Sequence, residues 1–353
     1  MLGLERGWCE SESRFKMEIP DGLSIIICCH NGATRLTTTL AHLKLQEPPT
    51  VPWEVLIIDN ASTDGTAEVA RSCWQDGPVP LRVVSEPHLG VRYARERGFC
   101  EARYAFLGFL DDDNWAAKDW VRTAYEIISS DTGLGAVGSI LMPVCEVPSP
   151  AWFDDFHSRY AILTEHDLEQ MPEPEPHYLP TAGLCVRKGA WVRLIQNGFQ
   201  FQLIGRTGKK LQGGEDTELT MALRLSGWKL RIDPRLRLQH FVPAQRLRWN
   251  YLRRLERGHG ASWALLDAYS EHSLSSGPGA RRWLSERWSY QLGRALVELA
   301  SRPRAVLAAL VSNKDGNYAV IEVGKALAGS GFKLVPDVVA GGSGEGGRDG
   351  APG

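Results

Sequence analysis

Apolar residues in the first two-thirds of this chain come in short continuous blocks, each closed by a polar cluster. LSIIIC (23–28) is a β-branched run that stops in Cys29-His30-Asn31-Gly32, and the spacing beyond it predicts a helix over about 34–46. WEVLIID (53–59) predicts a second buried strand, ending in Asp59-Asn60, with a helix over about 66–74 behind it. LRVVSE (81–86), a helix over about 90–102 and YAFLGFL (104–110) continue the alternation. Strand and helix alternate four times, which predicts βα units and an α/β fold with a mostly parallel sheet. Runs that are apolar throughout suit strands covered on both faces. The polar ends then lie side by side at the carboxyl edge of the sheet, where open α/β sheets bind ligands.

Further strands are predicted at GAVGSILM (135–142), within AGLCVRKGAW (182–191) and after Gly227. GGEDTELTMALRLSG (213–227) reads as a glycine turn, an acidic helix start and an amphipathic helix. The Pro-rich stretch 146–180 reads as a long loop. The pattern divides the chain into a tail (1–20), an α/β domain (21–250), a helical subdomain (251–335) and a disordered Gly-rich tail (336–353).

Composition narrows the function. The chain has 353 residues and a net charge of −2, which gives no reason to expect nucleic acid as a partner. Seven scattered cysteines without a CxxC pair read as reduced thiols of a cytoplasmic protein. The charged N-terminus has no signal-peptide character, and no run reaches the roughly 18 apolar residues of a spanning helix. Residues 246–304 hold eleven Arg against five acids. That stretch is a solvated helical surface or, alternatively, a basic face for peripheral contact with an anionic membrane. Twelve Trp serve core packing or supply ring platforms for a sugar.

Four clusters carry candidate chemistry. Asp111, Asp112 and Asp113 close the strand LGFL; clustered carboxylates suit a hard divalent cation, Mn²⁺ or Mg²⁺, that holds a diphosphate. They equally suit the cap of a helix starting near Trp115. His30 and Asn31 with Asp59 and Asn60 suit a nucleobase, the ring stacking and the polar pair reading an edge or ribose. Arg95, near the start of a helix, suits a base or phosphate as a charge-assisted donor. Glu215-Asp216 after Gly213-Gly214 suits a general base for an acceptor hydroxyl, or a charge pairing with the helix dipole. Downstream, His240 is a borderline metal ligand, Arg248 suits a leaving diphosphate, and Trp249 suits a sugar ring.

Taken in order, SIIICCHNGATRL, VLIIDNASTDGT, GVRYARERG, FLDDDNWAAKDWV and GGEDTELTMALRLSGWKL resemble the family 2 inverting glycosyltransferases. The resemblance covers about 22–255 and is nearest to soluble bacterial polysaccharide enzymes of the hormogonium type. It implies a GT-A fold with a C-terminal helical extension. It also implies a metal, a nucleotide-sugar donor (UDP by default) and a saccharide or lipid-linked saccharide acceptor. By resemblance, His30 stacks on uracil, and Asp59 and Asn60 read the base, Asn60 departing from the usual Asp. Arg95 matches the Arg of GxxxAR. Asp113 is the direct metal ligand, Asp111 lies nearer the ribose, and Asp216 is the catalytic base. Gln245, Arg248 and Trp249 match the QxxRW pattern of processive synthases, which carry transmembrane helices that this chain lacks. Two rivals remain: a nucleotidyltransferase that makes the activated sugar, and a catalytically dead carbohydrate-binding protein.

Overall fold

The computed structural model describes residues 19–171, 176–207 and 211–274, with the single positions 297 and 300. Its centre is one sheet of eight strands, β1 (Leu23–Cys29), β2 (Trp53–Asn60), β3 (Leu81–Glu86), β4 (Phe106–Asp111), β5 (Asn114–Ala116), β6 (Leu134–Cys145), β7 (Leu184–Arg187) and β8 (Lys229–Val242), in the order β3-β2-β1-β4-β7-β6-β8-β5. Strands β1 to β4 run parallel to one another, as does β8 beside β6, while β7 and β5 are antiparallel to their neighbours.

Helices cover both faces, which accounts for the unbroken apolar runs. Along β1, Leu23, Ile25 and Ile27 enter one core, and Ile26 points into the other. The first core packs beneath α1 (Ala33–Lys44) and α4 (Trp120–Ser130), through Leu36, Leu40, Leu43, Ile127 and Ile128. Burying each such Leu stabilises by about 1.5–3 kcal/mol. The second lies beneath α3 (Val91–Glu101), α7 (Lys188–Gln196) and α8 (Glu215–Leu225), with Phe99 stacked on Trp191. Helix α2 (Thr66–Cys73) packs on α1 and β2. A third cluster joins Trp152, Phe153, Tyr160 and Ile162 to Leu252 and Leu255 of α9 (Trp249–Leu274).

Two expectations need correction. Residues 146–180 are not a featureless loop: α5 (Phe153–Phe156), a 3-10 turn and α6 (Glu165–Glu169) lie within them. Phe153, Phe156 and Tyr160 pack in the third cluster and Leu168 against the second, so no single periodic face is formed. No helix starts at Trp115, which sits in β5; helix α4 begins at Trp120. The end of β8 pairs with β5, and the Phe241 N–H donates to Asp113 O at 2.9 Å, so strand continues where a cap was expected. The three aspartates therefore cap nothing.

The helical character expected from 251 is met by α9 as far as Leu274, and 297 and 300 are helical. The rest of the 251–335 subdomain, most of the 1–20 tail and the 336–353 tail lie outside the described residues. Among the described residues, no helix is long and apolar enough to cross a membrane.

Candidate active site

Strand register brings the polar ends together. Cys28 of β1 lies opposite Asp111 of β4, and Cys29 lies opposite Asp59 of β2. Above this edge is a cavity of about 760 Å³ lined by His30, Arg35, Asn60, Arg95, Asp111, Asp112, Asp113, Arg206, Glu215, Asp216, His240 and Arg246, among others.

The three aspartates part company. The carboxylate of Asp112 turns to α1, where Arg35 donates from Nε at 2.9 Å and from Nη2 at 2.7 Å. Thr39 Oγ1 donates to the Asp112 carbonyl at 2.8 Å. Burial, and after it the charges of Asp113 and Asp111, push the Asp112 carboxyl up to about 6 against the pull of Arg35. Asp112 thus ties β4 to α1, and its oxygens are already engaged. Asp112 lines the cavity with its neighbours, but with its carboxylate held by Arg35.

Asp113 receives Arg246 Nη1 at 3.1 Å and has His240 Nε2 at 3.6 Å. His240 arrives there because it pairs with Asn114 across β5 and β8. Burial alone would raise the Asp113 carboxyl; His240, Arg246, Arg35 and Arg206 outweigh it and hold the group below the usual range. Asp111 is raised, by burial first and then by the negative charge of Asp113. Two carboxylates so close to one another resist joint ionisation unless positive charge is supplied.

The second half of the site is built by α8. Gly214, at φ +105°, opens the helix in a conformation an L side chain strains to adopt. Arg95 of α3 donates to Glu215 Oε1 at 2.6 Å, with both side chains buried. Glu215 Oε2 has no hydrogen-bond partner among the described residues. Burial raises the Glu215 carboxyl, Arg95 lowers it and Asp216 raises it, with a net upward shift. Arg95 also feels Asp111, so one buried guanidinium spans the two acidic groups. Asp216 lines the cavity beside this pair, and its Oδ1 accepts the Thr217 N–H at 2.8 Å. Both carboxylates line the cavity, Glu215 tied to Arg95 through one oxygen and Asp216 beside it.

The base-reading cluster divides likewise. His30 is exposed at the cavity, its Nδ1 2.8 Å from the Asn60 carbonyl. Asn60 is buried and its amide is committed. Nδ2 donates to Glu86 O at 3.2 Å and His88 O at 2.6 Å, and Oδ1 accepts the Gly90 N–H at 2.9 Å. Gly90, at φ +144°, needs the freedom of a glycine for that turn. Asn60 therefore joins β2 to the loop before α3. Asn31 and Asp59 do not line the cavity; Asn31 Oδ1 accepts the Thr63 N–H, and Asp59 Oδ1 accepts the Ser62 N–H.

Beyond β8, Gln245, Arg248 and Trp249 are absent from the cavity lining. Gln245 and Arg248 are exposed. Trp249 is only 3% exposed, packed edge-on against Trp152 and Phe156. A ring enclosed in this way cannot stack on a sugar. Arg246, in the tight turn after β8, is the member of the run that reaches an aspartate. The sequence pattern also passed over Arg35, Arg206 and Glu218. Glu218, fully buried on α8, accepts the Gln202 and Leu203 N–H groups and the Tyr269 hydroxyl, fixing the segment that carries Arg206. Arg35 was detectable in principle as the cation in the first turn after a ligand-bearing strand end.

Residues 24–190 match the family model described as Glycosyl transferase family 2. The succinoglycan biosynthesis protein ExoM of Rhizobium meliloti is 24% identical over 244 residues, 67% of this chain and 74% of that protein. Glycosyltransferase AglE of Haloferax volcanii is 32% identical over 116 residues, 33% of this chain and 38% of that protein. Each match is a likeness to glycosyltransferases, the family model spanning somewhat under half of the chain. The mannosyltransferase PcManGT of Pyrobaculum calidifontis, solved with GDP-Man and Mn²⁺, superposes with a TM-score of 0.56 at 18% identity, covering 89% of this chain and 84% of that one. The likeness establishes a GT-A fold. Within the family 2 frame, the matched stretch holds His30, Arg95 and the three aspartates, whereas Asp216, His240 and Arg246 lie beyond it.

Proposed function

We propose that this chain is an inverting, metal-dependent glycosyltransferase. It moves a sugar from a nucleotide diphosphate, UDP by preference, to a saccharide or lipid-linked saccharide in bacterial polysaccharide synthesis. The observation that carries the reading is the convergence on one cavity of Asp111 at the end of β4, Asp113 in the turn after it and Asp216 from α8, with the Arg95–Glu215 pair lining the same cavity.

The residues fit a hard divalent cation by donor chemistry. Asp111 and Asp113 offer carboxylates, and His240 has a buried Nδ1 without a hydrogen-bond partner among the described residues. No three His, Cys, Asp or Glu side chains among the described residues could hold an ion by themselves, which leaves substrate oxygens to complete the set. Bound there, Mn²⁺ or Mg²⁺ supplies charge stabilisation for the departing diphosphate.

The chain's own residues do the rest. Arg206 and Arg246 add positive charge beside Asp113, where the leaving group accumulates negative charge. His30, exposed at the rim, offers a ring face to the base. Asp216 takes the proton from the acceptor hydroxyl as its oxygen attacks the anomeric carbon, and the bond to the diphosphate breaks on the opposite side. A single displacement inverts that carbon. Glu215, tethered to Arg95, is removed from this role and fixes the start of α8.

The test is a panel of UDP- and GDP-sugars, GDP-mannose included, with and without Mn²⁺, scored for slow release of the nucleoside diphosphate. Metal-stimulated release from one donor is expected. No release from any donor, with the protein folded, overturns the proposal; release of pyrophosphate favours a nucleotidyltransferase.

A further inference from the structure

The cavity is larger than its charged end requires, and its far wall is aromatic. Tyr178 and Trp263 line it together with Met171, Leu211 and Leu266. Their rings meet edge to face, centroids 5.9 Å apart at 72°. Trp263 is anchored beside Leu203, Met221 and Leu266. Tyr178, by contrast, is 39% exposed. Tyr178 and Trp263 line the same cavity as Asp111, Arg95, Glu215 and Asp216. Burial raises the Tyr178 hydroxyl, Arg159 lowers it and Asp216 raises it, so the charge of the proposed base is felt at this ring.

An open phenol ring held upright by a fixed indole presents flat apolar surface beside a proton acceptor. A molecule that suits both has a hydroxyl to give up and, on the same ring, an apolar face of C–H bonds. A pyranose meets that description; an extended peptide or a bare lipid phosphate does not. We propose that Tyr178, buttressed by Trp263, is the platform on which the acceptor's terminal pyranose ring stacks, so that the acceptor is recognised as a sugar ring. The inference rests on the glycosyltransferase reading and names the acceptor class and the residue that selects it.

The experiment uses saturation-transfer NMR with the full chain and Mn²⁺, first without nucleotide and then in excess UDP. The probes are methyl glucoside, methyl galactoside and methyl mannoside, with the open-chain polyol sorbitol as control. At least one pyranoside is expected to receive saturation at its ring C–H protons, and sorbitol none. Tyr178→Phe keeps the ring and should hold binding within about twofold, whereas Tyr178→Ala should weaken it about tenfold. Melting temperatures of both variants report that the fold is intact. Four results overturn the inference: no pyranoside binds, sorbitol binds equally, Tyr178→Ala binds as wild type, or UDP displaces the pyranoside. The last would assign the ring to the donor. Failure of the glycosyltransferase reading shows separately, as absence of donor turnover by the wild-type protein.

Discussion

Replacing Arg95 by Met removes one guanidinium and leaves the volume of its stem nearly filled. The group it pairs with cannot move to water. The side chains of Arg95 and Glu215 are 8% and 6% exposed, their contact is 2.6 Å, and Glu215 Oε2 is already without a partner. Breaking one side of such a buried pair costs about 3–5 kcal/mol, because the remaining charge is stranded. Glu215→Gln keeps the shape and leaves an arginine that Asp111 and Asp216 still attract, so it should cost less, about 1.5–3 kcal/mol. The double variant has no stranded carboxylate and should be more stable than Arg95→Met alone, with a coupling of about 1–3 kcal/mol. The pH dependence has a definite sign. Burial holds the folded Glu215 carboxyl above its unfolded value, and losing Arg95 moves it higher. A group raised in this way contributes stability that is fully present below the unfolded pKa and is lost as pH rises through the folded pKa. The deficit of Arg95→Met should therefore shrink as pH falls from neutral into the mildly acidic range. Urea unfolding followed by tryptophan fluorescence at several pH values measures it. A deficit below about 1 kcal/mol at neutral pH, or one that does not change with pH, refutes the buried-pair reasoning.

Trp249→Ala should lower stability by about 3–5 kcal/mol, because its ring fills the cluster with Trp152 and Phe156; an unchanged urea midpoint would return Trp249 to the solvent-facing role. Asn60→Asp should lower the melting temperature, since it removes the two N–H bonds to Glu86 O and His88 O, at about 1–3 kcal/mol for each carbonyl left buried. Equal or higher stability in a thermal melt would show that the carboxylate is accommodated there and that the amide is not structural. Arg206→Ala should weaken UDP binding about tenfold by calorimetry, with a loss that fades at high salt, because an exposed cation acts through a screened field. An unchanged Kd at low salt removes Arg206 from the diphosphate site.

The sequence made the sheet legible where burial leaves one choice. LSIIIC, WEVLIID and YAFLGFL are apolar on both faces, and both faces proved to be covered by helices. Direction and partnership in the later strands were not legible. LCVR of β7 is as apolar as a parallel strand, yet it runs antiparallel between β4 and β6, which only the connection through α4 and the helical 153–169 segment decides. The three-residue β5 exists because β8 runs long enough to meet it, and nothing local to Asn114–Ala116 announces that. In the site, residue type was readable and aim was not. Asp111 and Asp113 alternate with Asp112, so a strand pattern could have assigned Asp112 to α1 and Arg35. In the turn after β8, by contrast, Arg246 and Arg248 are chemically equal, and only the turn geometry at Pro243–Leu247 chooses between them. The bonds of Asn60 were hidden for a related reason: an amide at a strand end reads the same whether it faces a base or three backbone groups.

The central claim is that Asp216 is the proton acceptor facing a metal-bridged donor, and Asp216→Asn tests it most directly. With the turned-over nucleotide sugar and Mn²⁺, NMR follows the anomeric configuration of the released or transferred sugar, and calorimetry follows donor affinity. The account predicts an inverted anomer from the wild-type protein. For the variant it predicts a loss of turnover on the order of 10²–10⁴ with donor Kd within about twofold. A retained anomer, or a variant that turns over normally, contradicts it.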